Sequence, residues 1–336
     1  MLLLLFFSRI FAKNKNMETT IEVYTLCFRV RRSRDKISFS DEPDIYEMMK
    51  SDFINYIHNS HTGDVPAECR TVRIPTASEG QAFHGYSDSN RYIYGVIESG
   101  LYGKQLEIAD KDNPENILFT STRTQAVLKP FFFLIKIPRR GDTALLVLER
   151  TDNESIYPLM RIILSTYFRD KFDEPEGMMV DRQNYISSQY LDELRNGRMK
   201  SVSFTLKTLP SDLADQYMVD ELDENTSITL TLKFRGGLRP EHHIAQAIRN
   251  NHTIFTSEDL QGMFDTSQKS IVAEANTGVA TKERTYYLSG ENNSALRPFY
   301  TLNVQVNSKG YSSFSSIKSE VFNFINVNSE INNILG

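Results

Sequence analysis

The sequence predicts an α+β protein of mixed, mostly antiparallel sheets with packed helices, arranged in two parts. Three observations carry that prediction. Strand-like runs rich in β-branched and aromatic residues recur along the chain, most of them separated by turn residues rather than by helices. A few stretches instead place apolar residues on helical spacing. A charged break, DEPEG at 173–177, divides the chain near its middle.

Taken in order, the first 16 residues, MLLLLFFSRIFAKNKN, stand apart. A secretory signal puts positive charge before its apolar run and a small-residue cleavage site after it. Here Arg9, Lys13 and Lys15 follow the run, which is also too short to span a bilayer. Two readings remain: an in-plane amphipathic anchor, or an extension upstream of a natural start at Met17. TIEVYTLCFRVRR then reads as a strand with a basic tail at Arg29, Arg31, Arg32 and Arg34. EPDIYEMMKSDFINYIH is a helix, with Ile45, Met48, Met49, Phe53, Tyr56 and Ile57 on helical spacing. Residues 66–90, polar and punctuated by Gly and Ser, read as loop. RYIYGVIESG, KQLEIAD, NILFTST and QAVLKPFFFLIKIP are strands, and PRRGD turns the last into TALLVLER. ESIYPLMRIILSTYFRDKF is a helix whose stripe of Leu159, Ile162, Ile163, Tyr167 and Phe168 is core packing. These elements fill an N-terminal part at 17–175.

The expected C-terminal part, 176–336, opens with a helix around SSQYLDELRNG and the strand SVSFTLKTLP. Residues 211–226 hold six acids without Lys or Arg and read as a solvated loop. SITLTLKFRGG alternates cleanly, with Ile228, Leu230, Leu232 and Phe234 on one face and Thr and Lys on the other. SIVAEANTGVATKERTYYLSG is a hairpin turning at Asn276 to Gly278, FYTLNVQVN is a strand, and a helix around Phe322, Phe324 and Ile325 closes the chain.

Composition bounds the function. A formal net charge of −5 argues against a uniformly basic nucleic-acid coat, but not against local patches. Two cysteines, Cys27 and Cys69, make neither a disulfide framework nor a Cys-only metal site, and fit a reducing cytoplasm. No P-loop, GxGxxG loop or GxSxG elbow is present. No lysine stands two residues after an Asp or Glu, which removes the common restriction-type nuclease pattern. Neither a cofactor nor a bound metal is expected.

One segment concentrates chemistry-bearing residues: RGGLRPEHHIAQAIRNNH, 235–252, with three of the six histidines. Pro240 suits the first turn of a helix. His242 and His243 then lie about 100° apart and cannot share one metal from one face. His242, Gln246 and Arg249 fall at i, i+4, i+7 as an exposed polar row, with Arg235 and Arg239 ahead of the helix in a loop loosened by Gly236 and Gly237. Three arginines against one acid, Glu241, at a helix start describe a phosphate-contacting surface. Two other basic clusters, around Arg31, Arg32 and Arg34 and at Arg139 and Arg140, could join it. Aromatic interleaving is weak in all three, favouring duplex backbone over single strands.

The succession of SVSFTLKTLP, SITLTLKFRGG, the basic-faced RPEHHIAQAIRNN and a hairpin closing on TKERTYYLSG resembles the C-terminal half of the RexA family, cytoplasmic proteins of the lambdoid Rex phage-exclusion systems. The likeness covers residues 200 to about 300 and rests on pattern, not on an invariant motif. It implies a bacterial anti-phage protein that binds double-stranded DNA without strong sequence preference, self-associates and works with a small membrane protein. It supplies no catalytic residues. Arg235, Arg239 and Arg249 are the DNA-contacting candidates by position and charge. The rival expectations are a metal-dependent nuclease using acids such as Asp181, Asp220 or Glu221, and an interaction subunit whose basic faces meet an acidic protein.

Overall fold

The computed structural model describes residues 16–30, 35–61, 63–65, 69–75, 82–152, 154–172, 178–206, 228–250, 252–258, 261–262, 268–276, 281–288 and 298–335. The chain is α+β, with antiparallel sheets, and it divides into two compact units. The first comprises residues 1–183 together with 299–336, and the second is 184–298.

The first unit is built on a nine-stranded sheet. Its strands are β1 (Asn16–Val30), β2 (Gly63–Val65), β3 (Arg70–Arg73), β4 (His84–Ser87), β5 (Tyr92–Leu101), β8 (Lys129–Lys136), β9 (Thr143–Arg150), β10 (Met178–Asn184) and β15 (Phe299–Gln305). The order is β10-β1-β9-β8-β5-β3-β2, with β15 also on β1 and β4 also on β5. The two halves of β1 serve different neighbours: Asn16 to Glu22 pair with β15, and Thr20 to Cys27 with β9.

Both faces of this sheet are covered. Helices α1 (Ile45–His61) and α2 (Tyr157–Lys171) bury one face, where Phe131, Phe133 and Ile135 meet Met49, Phe53, Tyr167 and Phe168. Helix α5 (Phe314–Val327) lies on the other: Phe314 meets the Phe132 ring at 6.2 Å and Phe322 meets Tyr92 at 4.8 Å. The last helix, α6 (Ser329–Leu335), buries Ile331 and Leu335. Burial on both sides explains why β8 and β9 are continuously apolar although antiparallel, a pattern otherwise typical of parallel strands. Segment 66–90, expected as loop, contributes β3 and β4 and adjoins β2; all are short and lie toward one sheet edge, where a strand needs little apolar pattern.

A clamp fixes the start of α1. Arg91, only 5 % exposed and with φ at +53°, donates from both terminal nitrogens to Asp44 at 2.8 and 2.5 Å and from Nε to the Ile137 carbonyl at 2.8 Å. Asp44 in turn accepts from the backbone N–H of Tyr46 at 2.9 Å and caps the helix. The Arg91 guanidinium stacks on the Tyr46 ring at 4.5 Å.

Between β5 and β8 the chain leaves the sheet as a separate two-stranded hairpin, β6 (Glu107–Ala109) with β7 (Ile117–Thr120).

The second unit has one four-stranded sheet in the order β12-β11-β13-β14, from β11 (Met199–Leu206), β12 (Ile228–Leu238), β13 (Gln268–Asn276) and β14 (Thr281–Leu288). Helices α3 (Ser188–Asn196) and α4 (His243–Arg249) cover one face, burying Tyr190, Leu194, Val202, Phe204, Ala245, Ile248, Ile271 and Tyr286. One covered face is what the strict alternation of SITLTLKFR requires.

The expected boundary at 173–177 lies outside the described residues. The second unit as observed begins at Asn184, after β10, and ends before β15. Residues 299–335, read as part of the C-terminal half, fold with the first unit because β15 completes an edge of β1. No helix among the described residues is long and apolar enough to cross a membrane.

Candidate nucleic-acid interface

The face of the second sheet opposite α3 and α4 is polar and cationic among the described residues. The register pairs Thr205 with Thr229, Ser203 with Thr231 and Ser201 with Lys233, so these side chains share one face. Arg235 follows Lys233 on the same side of β12, and both are exposed. The hydroxyls of Ser203 and Thr231 lie 2.9 Å apart, those of Thr205 and Thr229 3.1 Å apart. At the far end Arg198 and Lys200 converge on Glu274, with Lys200 Nζ 2.7 Å from its carboxylate. Those two cations hold Glu274 below its ordinary value, Lys200 contributing most. Lys233 and Arg235 have no ion pair among the described residues.

Glycine shapes this end of the face. Gly237 has φ at +74°, and a Cβ there would stand 2.7 Å from the Arg198 side chain. The strand can cross beneath Arg198 only because that position lacks a side chain.

The predicted helix forms, but shorter and later than expected. Pro240 sits in a turn, and the helix starts after His242, whose Nδ1 accepts the Ile244 N–H at 3.3 Å as the cap. His242 and His243 stack their rings at 4.6 Å. Gln246 is exposed. Arg249, expected on the exposed row, is half-buried and turns inward. Its guanidinium donates to the carbonyls of Gly197 and, at 3.3 Å, of Pro240, tying the turn before α4 to the end of α3. Desolvation lowers its pKa from the usual arginine value. Arg249 holds this corner together and does not face solvent as a phosphate ligand would.

Arg239 is exposed but borders a cavity of about 750 Å³ between α3 and the turn before α4. Its wall combines Arg198 and Arg239 with Asp192, Glu193, Glu241 and Glu274. Acids outnumber bases there, so this hollow suits a phosphate less well than the cationic sheet face does. No protein-family model, curated protein or solved structure matches the chain.

The remaining candidates lie elsewhere. Arg139 and Arg140 are exposed on the turn between β8 and β9, in the first unit. Arg31, Arg32 and Arg34 lie outside the described residues, as do Asp220 and Glu221. Asp181 is ion-paired with Arg29 across β10 and β1. No group of three or more His, Cys, Asp or Glu side chains poised for a metal occurs among the described residues. Sequence reasoning missed Arg198 and Lys200 because they flank a strand start, where neither alternation nor helical spacing assigns a face. Lys233 was readable, since it falls on the polar side of the cleanest alternating strand.

Proposed function

We propose that this chain is a non-enzymatic, sequence-tolerant DNA-binding component of a bacterial anti-phage system. It would grip duplex phosphates with the cationic sheet face of its second unit. The observation that carries the reading is the exposed Lys233–Arg235 row, without an ion pair among the described residues, beside a ladder of Ser and Thr hydroxyls on the sheet face opposite α3 and α4. Cations and hydroxyls are the groups that position proteins on the phosphate backbone, and they carry little sequence information. The defence setting, a small membrane-protein partner and the DNA itself rest on the RexA-like order of elements. Within the expected residue set, Arg235 takes the leading role and Arg249 is a structural support, while His242 and Gln246 belong with α4 on the other face of the sheet and Arg239 borders the acid-lined cavity.

Duplex affinity at several salt concentrations tests this, for the wild type and for Lys233→Ala with Arg235→Ala. Each lost phosphate contact flattens the slope of log K against log salt by about 0.9, so the double variant should flatten it by about 2, equally on unrelated sequences. An absence of duplex binding at low salt, or an unchanged slope, would overturn the assignment. Metal-dependent loss of the duplex during the same incubations would replace it with the nuclease reading.

A further inference from the structure

The hairpin of β6 and β7 forms a sheet of its own, and none of the described residues buries either of its faces. Its ladder runs from the Gly103 N–H on the Arg123 carbonyl at 2.8 Å, through Ile108 opposite Phe119, to Asp110 and Asn116 at the tip. A register shift between Ile108 and Ala109 leaves Leu118 without an opposite residue. Leu106, Ile108 and Phe119 therefore share one face, while Ala109 and Ile117 share the other.

All of this is in solvent. Ile108 is 50 % exposed, Phe119 49 % and Leu118 61 %, and Leu101 and Val127 at the foot are 52 % and 49 % exposed. Together these side chains leave on the order of 600 Å² of apolar surface, the upper end for the largest patch on a monomer. A two-stranded hairpin with both faces wet is marginal by itself.

The charges along the arm are self-complementary. Asp110, Lys111, Asp112 and Glu115 leave the tip negative, while exposed Lys104 and Arg123 make the foot positive. Two arms laid antiparallel about a twofold axis would set each acidic tip against the other's basic foot, with the apolar faces between. The face of Leu106, Ile108 and Phe119 holds about half of that apolar surface, so two such faces would bury roughly 600 Å² of apolar area, the scale of a weak, concentration-dependent contact. Isologous pairs of this kind are the commonest oligomers.

We propose that the β6–β7 arm is an interaction surface whose occupant is the same arm of a second copy of this chain. The assignment is independent of the DNA-binding reading, because it concerns a different unit and a different observable. Sedimentation of the full chain over a concentration series should give a dimer, and Ile108→Glu with Phe119→Asp should reduce it to a monomer with an unchanged circular dichroism spectrum. A charge exchange checks the geometry without relying on the apolar residues. A foot variant, Lys104→Glu with Arg123→Glu, and a tip variant, Asp112→Lys with Glu115→Lys, should each be monomeric alone and should dimerise when mixed. A monomeric wild type throughout the series, a dimer indifferent to Ile108→Glu with Phe119→Asp, or no rescue on mixing would overturn the proposal. Binding of phosphatidylcholine vesicles by a monomeric wild type would assign the arm to a lipid surface instead.

Discussion

Removing the Asp44 carboxylate perturbs two interactions at once, and the structure allows each to be sized. Asp44→Ala deletes the α1 cap, worth about 1 kcal/mol. It also strands Arg91, whose side chain is 6 % exposed while that of Asp44 is 33 % exposed. Stranding a fully buried ion costs roughly 3–5 kcal/mol. Because Asp44 sits at the rim, water can reach the freed guanidinium, and a total near 3 kcal/mol is the better expectation. Asp44→Asn keeps a capping acceptor but loses the charge, so about 2 kcal/mol should go.

The chain contains no tryptophan, so urea unfolding followed by circular dichroism is the suitable assay, with the first unit's transition fitted separately. The Arg91 hydrogen bonds, the largest influence, hold Asp44 below the usual carboxylate range. An acid depressed in the fold stabilises it above the unfolded value of about 4, and that stabilisation fades as pH falls through the lower folded value. Between about pH 5 and pH 2 the wild type should therefore lose stability more steeply than Asp44→Asn. A loss under about 1 kcal/mol for Asp44→Ala, or parallel acid titrations of the two proteins, would refute the clamp.

Three further outcomes can be checked the same way. Arg249→Ala should destabilise the second unit by about 2 kcal/mol, because two carbonyls lose their donors, yet leave the salt slope of DNA binding unchanged; a flattened slope with intact stability would return Arg249 to the phosphate-contacting set. Gly237→Ala should cost about 1–2 kcal/mol through positive φ and displacement of Arg198, seen as a lower urea midpoint, and an unchanged midpoint would show that the strand adjusts freely. Glu149 is buried, and desolvation raises its pKa although Ser312, Phe132 and Thr19 all donate to it. Glu149→Leu leaves those three donors without their acceptor and should cost about 3 kcal/mol; a neutral substitution would mean that they find other partners.

How much of this was legible depended on which interactions are local. The α1 and α2 stripes, the alternating β11 and β12 and the β8–β9 hairpin follow from spacing alone, because burial of one face or both writes itself into neighbouring residues. β10 did not: MMVDRQN has no alternation, and its strand exists because β1 offers an open edge. Arg249 looked exposed because i, i+4, i+7 spacing places it with His242 and Gln246, whereas the Gly197 carbonyl that draws it inward belongs to another element. Pro240 marked a helix start three residues early, since the His242 side chain supplies the cap, its ring nitrogen facing the first turn. Arg235 was singled out from charge, whereas alternation put Lys233 on the polar side of its strand without marking it as a site residue, and that the two share the face opposite α3 and α4 required the sheet.

The pairing of β15 with β1 has a consequence for synthesis. As the chain emerges from a ribosome, every strand of the second unit is available once residue 298 has left, whereas the first unit lacks β15 until later. At roughly 5–20 residues per second, the outer edge of β1 waits on the order of ten seconds after residue 183 for its final strand. The downstream unit can thus close first, and the upstream one stays a template for stray strands in the interval. A stop codon near 298 would spare the unit that carries the basic face and leave the larger sheet unfinished.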